Sequence, residues 1–486
     1  MTLCHDMRSA SPDAAAGTPE ALAEALSIID AFLARESAET PLPPLTADQA
    51  KAGLDIAIPE RGVGSAEALR RLREVVLATP TTGGPRFVNQ LFAGREPLAT
   101  AAEVITAVLN TSMYTFKAAG PQVLVERAVL ERMLAKAGMS GESGESGGDG
   151  MFTPGGSLSN LAGMIVGRNE VCGLGRDDGF DGTKRVLYAS VENHYSISKN
   201  AAMIGIGRGN VRLVDADEQG RMRPEALSAA IRADRDAGRL PMMIVATSGT
   251  TVMGAFDPID ALADIAQAEG LWLHVDGAFG GTALMHPEHR GLMAGIERAD
   301  SLAWDAHKMM GVPLICSALL TPRADSMRKH FDESASYLFQ QDFAEDHAWL
   351  NPGVRSLQCG RRNDALKLWT LWQGLGDNGF ADRVSRQVAL ARHAAEIVRN
   401  DDRLRLTHEP AWINVCFEVV GKSTGAICEQ LDRTGVLKVS HGVVHGKRIV
   451  RLVTPNPEHA FADIERMIGD VIAASETAPE SDNRVD

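Results

Sequence analysis

The stretch LWLHVDGAFGG at residues 271–281 decides the fold, because it opens with a short apolar run and turns acidic at Asp276. Other short runs rich in apolar and β-branched residues surround it, at Arg185–Ala189, Val211–Val214, Met242–Ala246, Ser301–Trp304 and Leu314–Leu320. Helical patterns separate several of them, for example Pro224–Ala237 and Pro258–Ala268. Strands that alternate with helices predict an α/β fold with a mostly parallel sheet covered on both faces.

The sequence before these strands predicts helices. Pro19–Arg35 carries apolar side chains at helical spacing, Pro41–Pro44 breaks that pattern, and a second helix is expected after Ser65. We therefore expect residues 1–85 to form an N-terminal helical arm. The large α/β domain is expected to span residues 86–375.

The alternation of strands and helices weakens toward the C-terminus. A helix around 381–399 and strands near Val415–Val420 and Ile449–Val453 predict a small α+β domain at 376–486. Its polar end, from residue 474 onward, is expected to be a disordered tail.

Composition disfavours several classes of protein. The 486 residues include 49 Lys and Arg against 63 Asp and Glu, a net charge of −14, so a broad basic face for nucleic acid is not expected. Six cysteines lie far apart without a CxxC pair, which disfavours a metal site or a disulfide framework and favours the cytoplasm. No secretory signal and no run of 18 uncharged apolar residues occurs, so we expect no membrane-spanning helix.

Three predicted strands are followed by chemically suggestive residues. Asp276 follows one strand, DAHK at 305–308 follows the next, and the hydroxyl-rich segment Thr247–Thr251 follows a third. Open parallel sheets form their sites just beyond the carboxyl ends of the strands, so these side chains are expected to meet. Pyridoxal phosphate needs a lysine for its imine and a carboxylate that faces its ring nitrogen. Lys308 and Asp276 are candidates for these two roles.

The segment TPGGSLSN at 153–160 suits the phosphate of such a cofactor. Gly155 and Gly156 let the backbone approach closely, and Ser157 can cap the helix that follows. The free N–H groups at the start of a helix bind anions. His194, after an earlier predicted strand, could stack on the cofactor ring.

Each of these residues also has an ordinary structural interpretation. A GGS turn caps many helices, and Asp276 could cap a helix or pair with an arginine. Lys308 beside His307 could be solvated, and His194 could be a structural histidine. The order glycine turn, histidine, aspartate and lysine favours the cofactor site over these separate interpretations.

Ten segments together resemble the pyridoxal-phosphate-dependent group II decarboxylases, above all the glutamate, cysteine sulfinate and aspartate decarboxylase relatives. They span about three quarters of the chain, from Arg86 to about Asn456. The resemblance implies fold type I, with a mostly parallel seven-stranded sheet. The segments are PRFVNQLFAG at 85–94, LNTSMYTF at 109–116, TPGGSLSN at 153–160, ENHYSISKNAA at 192–202, TSGTTVMGAFDPI at 247–259, LWLHVDGAFGG at 271–281, ADSLAWDAHKMMGV at 299–312, SYLFQQD at 336–342, QCGRRNDALKLW at 358–369 and VRLVTPNP at 450–457.

The resemblance implies a role for each residue that matches a family motif. Lys308 would bind the cofactor covalently, and Asp276 would face its pyridine nitrogen. His194 and Ala278 would lie on the two faces of the ring, with Thr251 next to the ring hydroxyl. The residues expected at the phosphate are Gly155, Gly156, Ser157 and His307.

The resemblance also implies which residues bind the substrate. Gln90 and Arg451 match positions that contact substrate carboxylates, and a guanidinium fits a carboxylate bidentately. Phe92, Ser112 and Tyr114 resemble the set in cysteine sulfinate or aspartate decarboxylases more than that in glutamate decarboxylases. The bulk of Phe92 would shorten the pocket by about one carbon. One methylene is worth only ~1–3 kcal/mol, so mixed activity on cysteine sulfinate, aspartate, cysteate and glutamate is expected.

Tyr337 matches the tyrosine of a mobile loop that returns a proton to the α-carbon after carbon dioxide leaves. Its segment, SYLFQQDFAEDH, has no clean helical or strand period, as is typical of a gating loop. The alternative is an aromatic side chain that only anchors this loop.

The sequence departs from the family pattern at several positions. Relatives often have Asn-Pro-His-Lys where this chain has DAHK at 305–308, and an acid at Asp305 close to a phosphate is electrostatically unfavourable. Lys117 lies where the family has an acid, and Gly277 and Phe279 replace Ala and Trp. These changes leave the cofactor chemistry intact and bear on the substrate pocket.

Other functions stay open at this point. The same fold could decarboxylate an aromatic or basic amino acid, such as tyrosine, DOPA or diaminobutyrate. A pyridoxal enzyme could instead carry out transamination or oxidative deamination, and a relative without cofactor could serve as an interaction protein. The resemblance implies a homodimer whose second subunit completes the site, with the helical arm wrapping the partner and the Tyr337 loop reaching across.

Overall fold

The structure is a computed structural model that describes residues 17–37, 43–140, 147–173, 179, 183–333 and 350–485. The described helices are α1 (Thr18–Glu36), α2 (Ala47–Gly53), α3 (Ser65–Ala78), α4 (Pro97–Leu109), α5 (Phe116–Ala119), α6 (Gln122–Ala137), α7 (Gly156–Cys172), α8 (Ser196–Met203), α9 (Pro224–Asp236), α10 (Ile259–Glu269), α11 (Ser326–Phe331), α12 (Asp364–Arg399), α13 (Thr424–Thr434) and α14 (Phe461–Ser475). The described strands are β1 (Asp149–Thr153), β2 (Arg185–Ser190), β3 (Val211–Val214), β4 (Leu240–Thr247), β5 (Trp272–Asp276), β6 (Ser301–Asp305), β7 (Ser317–Thr321), β8 (Leu404–Leu406), β9 (Asn414–Val419), β10 (Ser440–Val444) and β11 (Lys447–Val453).

The predicted α/β fold with a mostly parallel seven-stranded sheet is confirmed. The strand order is β1-β7-β6-β5-β4-β2-β3. Strands β3, β2, β4, β5 and β6 run parallel, while β7 pairs antiparallel with both β6 and β1. The carboxyl ends of β4, β5 and β6 therefore lie side by side at one edge of the sheet.

Helices cover both faces of this sheet, and alternate strand residues separate into two cores. On one face, α7 packs on β4, β5, β6 and β7, where Met243 and Val245 join residues of α7 in one apolar cluster. On the other face, Ile244 and Ala246 join residues of α9 and α10. This separation follows from the two-residue repeat of a strand and explains why its residues are apolar throughout.

Strand β7 begins later than the sequence predicts. The apolar run Leu314–Leu320 suggests a strand from Leu314, but the strand starts at Ser317. The backbone groups of Cys316 bond to the segment after β6 instead of continuing the strand. Its carbonyl accepts from the N–H of Ala306 at 2.9 Å, and its N–H donates to His307 Nδ1 at 3.2 Å.

The second sheet contains the strands β10, β11, β9 and β8 in that order, all antiparallel. Helix α13 packs on β10 and β11, α12 packs on β8 and β9, and α14 packs against both of these helices. The helix predicted around 381–399 is the second part of α12, which begins at Asp364 and bends at Gly376, where φ is 62°. The division of the chain at residues 85 and 375 stays an interpretation.

The expectation of a disordered tail is wrong for the described residues after α14. Asn483 accepts hydrogen bonds from the N–H of Arg448 at 2.7 Å and from the N–H of Thr424 at 2.9 Å. The N–H of Ser481 donates to the carbonyl of Gly421 at 3.1 Å. The polar residues of this segment are ordered because they satisfy the backbone of the second sheet and of α13.

A buried acid, Glu36, is among the residues that dock the N-terminal arm onto the rest of the chain. Helix α1 packs against α3. Glu36, at the end of α1, accepts hydrogen bonds from the N–H of Thr82 and Gly83 and pairs with Arg95 at 2.6 Å. Within the described ranges, no helix is both long and apolar enough to cross a membrane.

Candidate active site

The carboxyl ends of β4, β5 and β6 and the start of α7 enclose a cavity of about 330 Å³. All nine residues predicted to bind the cofactor line it: Gly155, Gly156, Ser157, His194, Thr251, Asp276, Ala278, His307 and Lys308. They come from five separate parts of the chain, and the sheet brings them together as open parallel sheets do.

Asp276 ends β5 with its carboxylate held by two donors. Its Oδ1 accepts from the N–H of Ala278 at 3.1 Å, and its Oδ2 accepts from the side-chain amide of Asn160 at 2.8 Å. The residue is 5% exposed and lines the cavity. Two hydrogen bonds fix the orientation of this buried carboxylate, and a carboxylate held in this way can pair with a cation in the cavity.

The glycine turn before α7 forms a cradle for an anion. Gly155 has φ of +107°, which favours glycine, and a Cβ on Gly156 would lie 2.6 Å from the Asp305 carboxylate. Among the described residues, the N–H groups of Gly156 and Ser157 find no acceptor. Asn200 fixes the turn by donating to the carbonyl of Ser157 at 2.8 Å. Open N–H groups at a helix start bind phosphate.

Lys308 and its neighbours form a charged group at the end of β6. Its Nζ lies 3.3 Å from Asp305 Oδ2, and His307 Nε2 lies 3.6 Å from the same oxygen. Asp305 Oδ1 accepts from the Ser317 hydroxyl. The acid that departs from the family pattern is therefore paired with a cation rather than turned away from the turn. Burial lowers the pKa of His307.

His194 lies on the turn that leads into α8 and contacts two side chains. Its Nδ1 accepts from the N–H of Ser196 at 3.3 Å and lies 2.8 Å from the Ser196 hydroxyl. Its ring centroid is 4.3 Å from that of Tyr195, which also lines the cavity. Burial lowers the pKa of His194, so the ring is neutral at physiological pH.

Arg451 lies behind the cavity wall. One guanidinium nitrogen donates to the carbonyl of Thr251 at 2.9 Å, and the other donates to the carbonyl of Asn89 and to the Ser440 hydroxyl. Its Nε is buried without a partner in the described part of the chain. Thr251 lines the cavity, so Arg451 is one residue removed from it. Its predicted contact with a substrate carboxylate stays a prediction.

The structure does not bring the other predicted substrate residues into this cavity. Gln90 is exposed, and its neighbour Leu91 lines the cavity instead. Phe92 packs near Phe87 with ring centroids 6.3 Å apart. Their roles stay predictions.

Two further predicted substrate residues lie next to another segment of the chain. The Ser112 hydroxyl accepts from the N–H of Arg361 at 3.3 Å, and the carbonyl of Tyr114 accepts from the N–H of Gly353 at 2.9 Å. Neither lines the cavity of this chain. Tyr337, the predicted proton donor, lies outside the described residues.

Sequence reasoning missed two polar residues behind Asp276. Asn160 contacts Asp276 directly and also lines the cavity. His274 lies 2.9 Å from Asn160 through its Nε2. Both occur in segments that carry the resemblance, but their function depends on contacts between residues more than a hundred positions apart in the chain.

These residues fit pyridoxal phosphate. The cavity has an amine at Lys308, a buried carboxylate at Asp276, and unbonded N–H groups at a turn where a side chain would fill the space. The residues that would hold the group are Lys308, Asp276, His194, Ala278, Thr251, His307 and the turn from Gly155 to Ser157. Among the described residues, no group of three or more His, Cys, Asp or Glu side chains is arranged to hold a metal ion.

Sequence comparisons find related proteins over most of the chain. A family model described as the pyridoxal-dependent decarboxylase conserved domain matches residues 48–420. The mouse cysteine sulfinic acid decarboxylase is 40% identical over 445 residues, which cover 87% of this chain and 89% of the relative. The mouse acidic amino acid decarboxylase GADL1 is 37% identical over 444 residues, covering 87% and 80%.

Solved structures share the fold. The crystal structure of mouse CSAD in apo form superposes with a TM-score of 0.86 at 35% identity, covering 94% of this chain and 98% of that one. The structure of Oryza sativa TDC with PLP and tryptamine superposes with a TM-score of 0.87 at 24% identity, covering 96% and 99%. The second likeness concerns the fold alone.

Proposed function

The chain belongs to the pyridoxal-dependent decarboxylase family, and we propose that it removes the α-carboxyl group of a short acidic L-amino acid. The products are carbon dioxide and the corresponding amine. We propose cysteine sulfinate, aspartate and cysteate as substrates, with glutamate as a fourth candidate. The observation that carries the proposal is that Lys308, Asp276 and the open N–H groups of the glycine turn meet in one cavity.

Pyridoxal phosphate, when bound, supplies an aldehyde that condenses with amines and a ring that accepts the electron pair left by departing carbon dioxide. The protein supplies the surroundings. Lys308 Nζ would hold the cofactor and give way to the substrate amine. The carboxylate of Asp276 would keep a proton on the ring nitrogen, since a negative charge at that place favours the cationic ring.

Ala278 and His194 would contact the two faces of the cofactor ring. Ala278 presents a small side chain and His194 a neutral, planar one, and both line the cavity. His194 is held in place by Ser196. The phosphate would be held by the N–H groups of Gly156 and Ser157 and by the ring of His307. These contacts would restrict the rotation and translation of the cofactor.

The preference for an acidic substrate is proposed from groups next to residues that line the cavity. Arg451 borders the cavity through Thr251 and keeps an unpartnered Nε in the described chain. Gln90 and Phe92 flank Leu91, which lines the cavity. Relatives of 37–40% identity are named for acting on acidic amino acids, which supports the same class here.

Tyr337 is proposed to return a proton to the α-carbon once carbon dioxide has left. The net reaction consumes one proton and replaces the C–C bond with a C–H bond, so a donor at this position is required. This proton separates simple decarboxylation from transamination, in which the proton goes to a different carbon.

We propose that the enzyme is a homodimer in which the second subunit completes the cavity. Ser112 and Tyr114 do not line the cavity of their own chain. The helix that precedes them, α4, exposes a row of apolar side chains, among them Ile105 at 55% and Val108 at 57%. An apolar row of this kind is typical of a protein interface. The cytoplasmic location predicted from the cysteines stays a prediction.

The proposal is tested by supplying purified protein and pyridoxal phosphate with an equimolar mixture of amino acids and identifying the products by mass. The mixture contains cysteine sulfinate, cysteate, aspartate, glutamate, diaminobutyrate, tyrosine and DOPA. Lys308→Ala, which lacks the amine that holds the cofactor, is the blank. Hypotaurine, taurine or β-alanine should form first.

Each of the other results rejects a defined part of the proposal. Tyramine, dopamine or diaminopropane as the main product would reject the acidic substrate and keep decarboxylation. Keto acids in place of amines would reject decarboxylation itself. No product and no bound cofactor would reject the enzyme function.

A further inference from the structure

A buried hydrogen-bond chain runs from the interior of the sheet to Asp276. Asn160 donates from Nδ2 to Asp276 Oδ2 at 2.8 Å, and its Oδ1 lies 2.9 Å from His274 Nε2. His274 Nδ1 lies 2.8 Å from Ser301 Oγ, to which Trp272 Nε1 donates at 3.0 Å. All of these residues are buried, with none more than 5% exposed.

The chemistry of the two ends fixes the direction of every hydrogen bond in this chain. The indole N–H of Trp272 can only donate, so Ser301 Oγ accepts from it. An ionised Asp276 can only accept, so the amide nitrogen of Asn160 faces it and the amide oxygen faces His274.

The directions of the two inner bonds follow from these ends. Asn160 Oδ1 is an acceptor, so His274 carries its proton on Nε2. The unprotonated Nδ1 of His274 then accepts the hydroxyl proton of Ser301. Every hydrogen bond from Trp272 to Asp276 is therefore donated in the direction of the cavity, and the donor of each one is defined.

The packing of β5, β6 and α7 leaves space for the His274 ring and its hydrogen bonds. Ser301 on β6 lies directly opposite His274 on β5 in the parallel register. On the side of α7, a Cβ on Gly163 would lie 2.5 Å from the imidazole carbon Cε1, so glycine leaves the space that the ring occupies. Burial lowers the pKa of His274 to about 4, which agrees with a neutral ring that uses one nitrogen as donor and one as acceptor.

Asn160 also reaches toward the histidine on the cofactor ring. Its Nδ2 lies 3.4 Å from Ser196 Oγ, and that hydroxyl lies 2.8 Å from His194 Nδ1. The Asn160 amide thus contacts Asp276 directly and is linked to His194 through the Ser196 hydroxyl.

We propose that Asn160 and His274 are positioning residues, which hold the Asp276 carboxylate aimed into the cavity, where it would keep the proton on the cofactor ring nitrogen. This inference rests on the proposed function. Without the donor on His274 Nε2, the Asn160 amide can turn its oxygen toward Asp276. Asp276 then loses a donor, and its charged form becomes less favourable.

The test measures the ring nitrogen directly. Protein loaded with pyridoxal phosphate labelled with ¹⁵N in the ring is titrated between pH 5 and pH 10, and the ¹⁵N chemical shift reports the proton. In the wild type and in His274→Gln, whose amide can still donate to Asn160, the ring nitrogen should stay protonated over the same range. In His274→Leu, the pH at which it loses the proton should fall by about one unit or more.

The variants leave the other titratable groups around the cavity unchanged, namely His194, Tyr195, Asp305, His307 and Lys308. Thermal melting of each apoprotein measures any loss of stability separately. If His274→Leu does not fold, Ser301→Ala removes one hydroxyl from the same chain and should shift the titration in the same direction by less.

Two results would overturn the inference in distinguishable ways. If the ¹⁵N titrations of His274→Leu and Ser301→Ala equal that of the wild type, the hydrogen bonds from Trp272 to Asp276 have a purely structural role. The cofactor function would then be intact. A wild type that binds no labelled cofactor would reject the proposed function itself.

Discussion

Asp305 brings a carboxylate to the turn that is proposed to bind a phosphate. Both of its oxygens lie within 3 Å of the position that a Cβ on Gly156 would occupy. Its partners are Lys308 at 3.3 Å and the Ser317 hydroxyl. If Lys308 held the cofactor and the glycine turn held its phosphate, the negative charge of Asp305 would lie near the phosphate with less compensation and would oppose binding.

Asp305→Asn should therefore bind pyridoxal phosphate more tightly, by roughly tenfold, which corresponds to about 1.4 kcal/mol. Asparagine keeps an oxygen for the Ser317 hydroxyl and removes the charge. Titration of the apoprotein, followed by fluorescence, should show the gain for pyridoxal phosphate and not for pyridoxal. An equal change for both ligands would assign the effect to the loss of the Lys308 pair instead.

At the residue scale, the sequence predicts the groups that line the cavity better than the groups behind them. Lys308, Asp276 and His194 follow from residue type and order, and all three line the cavity. Asn160 and His274 lie in segments that carry the family resemblance, but the sequence did not indicate that they contact Asp276 or each other. Their partnership joins residues 114 positions apart, and a polar residue on a helix or strand does not indicate by itself which distant side chain it contacts.

At the scale of elements, Asp257 joins the end of β4 to the turn before α9. Its two carboxylate oxygens accept from the N–H of Met222 at 2.6 Å and from the N–H of Thr247 at 2.7 Å. Thr247 ends the strand next to Asp276. Burial raises the pKa of Asp257 to about 7. The carboxyl group is thus a structural acceptor that carries a desolvation cost when it ionises.

Asp257→Asn should destabilise the protein by about 1–3 kcal/mol at pH 5, because its amide nitrogen cannot accept and one buried N–H loses its partner. The folded-state pKa of Asp257 lies above the unfolded value near 3.8, so the folded wild type binds more protons between about pH 4 and pH 7. The stability that this group contributes is lost as the pH rises through that range. The cost of Asp257→Asn should therefore shrink toward pH 8.

Urea unfolding of both proteins at pH 5 and pH 8 measures this change. Asp264→Asn is the matched control, because Asp264 is exposed and pairs with Arg298 on the surface. It should cost less than about 1 kcal/mol. A cost of Asp257→Asn that grows with pH would contradict the assigned protonation.

Element boundaries depend on pairing that the local pattern does not contain. Strand β1 is short and follows a polar, glycine-rich stretch, and it exists because Asp149–Thr153 pairs with Ser317–Thr321 of β7. The segment after α14 has the composition of a disordered tail, but Asn483 supplies acceptors to two backbone N–H groups of the small sheet and α13. The central strands and the helices α1, α9 and α10, whose periodic patterns are local, were predicted to within a few residues, whereas helices such as α4, α6 and α14 were not predicted.

At the scale of the whole molecule, the second sheet holds one wall of the cavity. Asn414 on β9 donates to the carbonyls of Thr251 and Val252 at 3.1 and 2.9 Å. Arg451 on β11 donates to the same carbonyl of Thr251. The C-terminal part of the chain therefore fixes the loop that presents Thr251 to the cavity, and the position of this sheet is coupled to the shape of the site.

The exposed row on α4 predicts how the chain assembles. Val108→Glu should convert a dimer into monomers at micromolar concentration, because a carboxylate buried at an interface without a partner costs several kcal/mol. Sedimentation velocity measures the mass. Leu213→Glu, on the edge strand β3, places the same charge at a residue of similar exposure, 58% against 57%, and should leave the mass unchanged. A monomeric wild type would reject the dimer.

If the second subunit completes each cavity, two inactive variants should restore activity when they are mixed. Lys308→Ala lacks the cofactor lysine, and Tyr337→Phe lacks the proposed proton donor. In a mixed dimer in which the Tyr337 segment serves the partner's cavity, one site combines an intact Lys308 with an intact Tyr337. Random exchange then yields about one quarter of the wild-type activity, since half of the dimers are mixed and each has one working site. If Tyr337 serves its own chain, no mixed site is complete and the mixture stays inactive, so co-refolding followed by an assay of amine formation decides between the two arrangements.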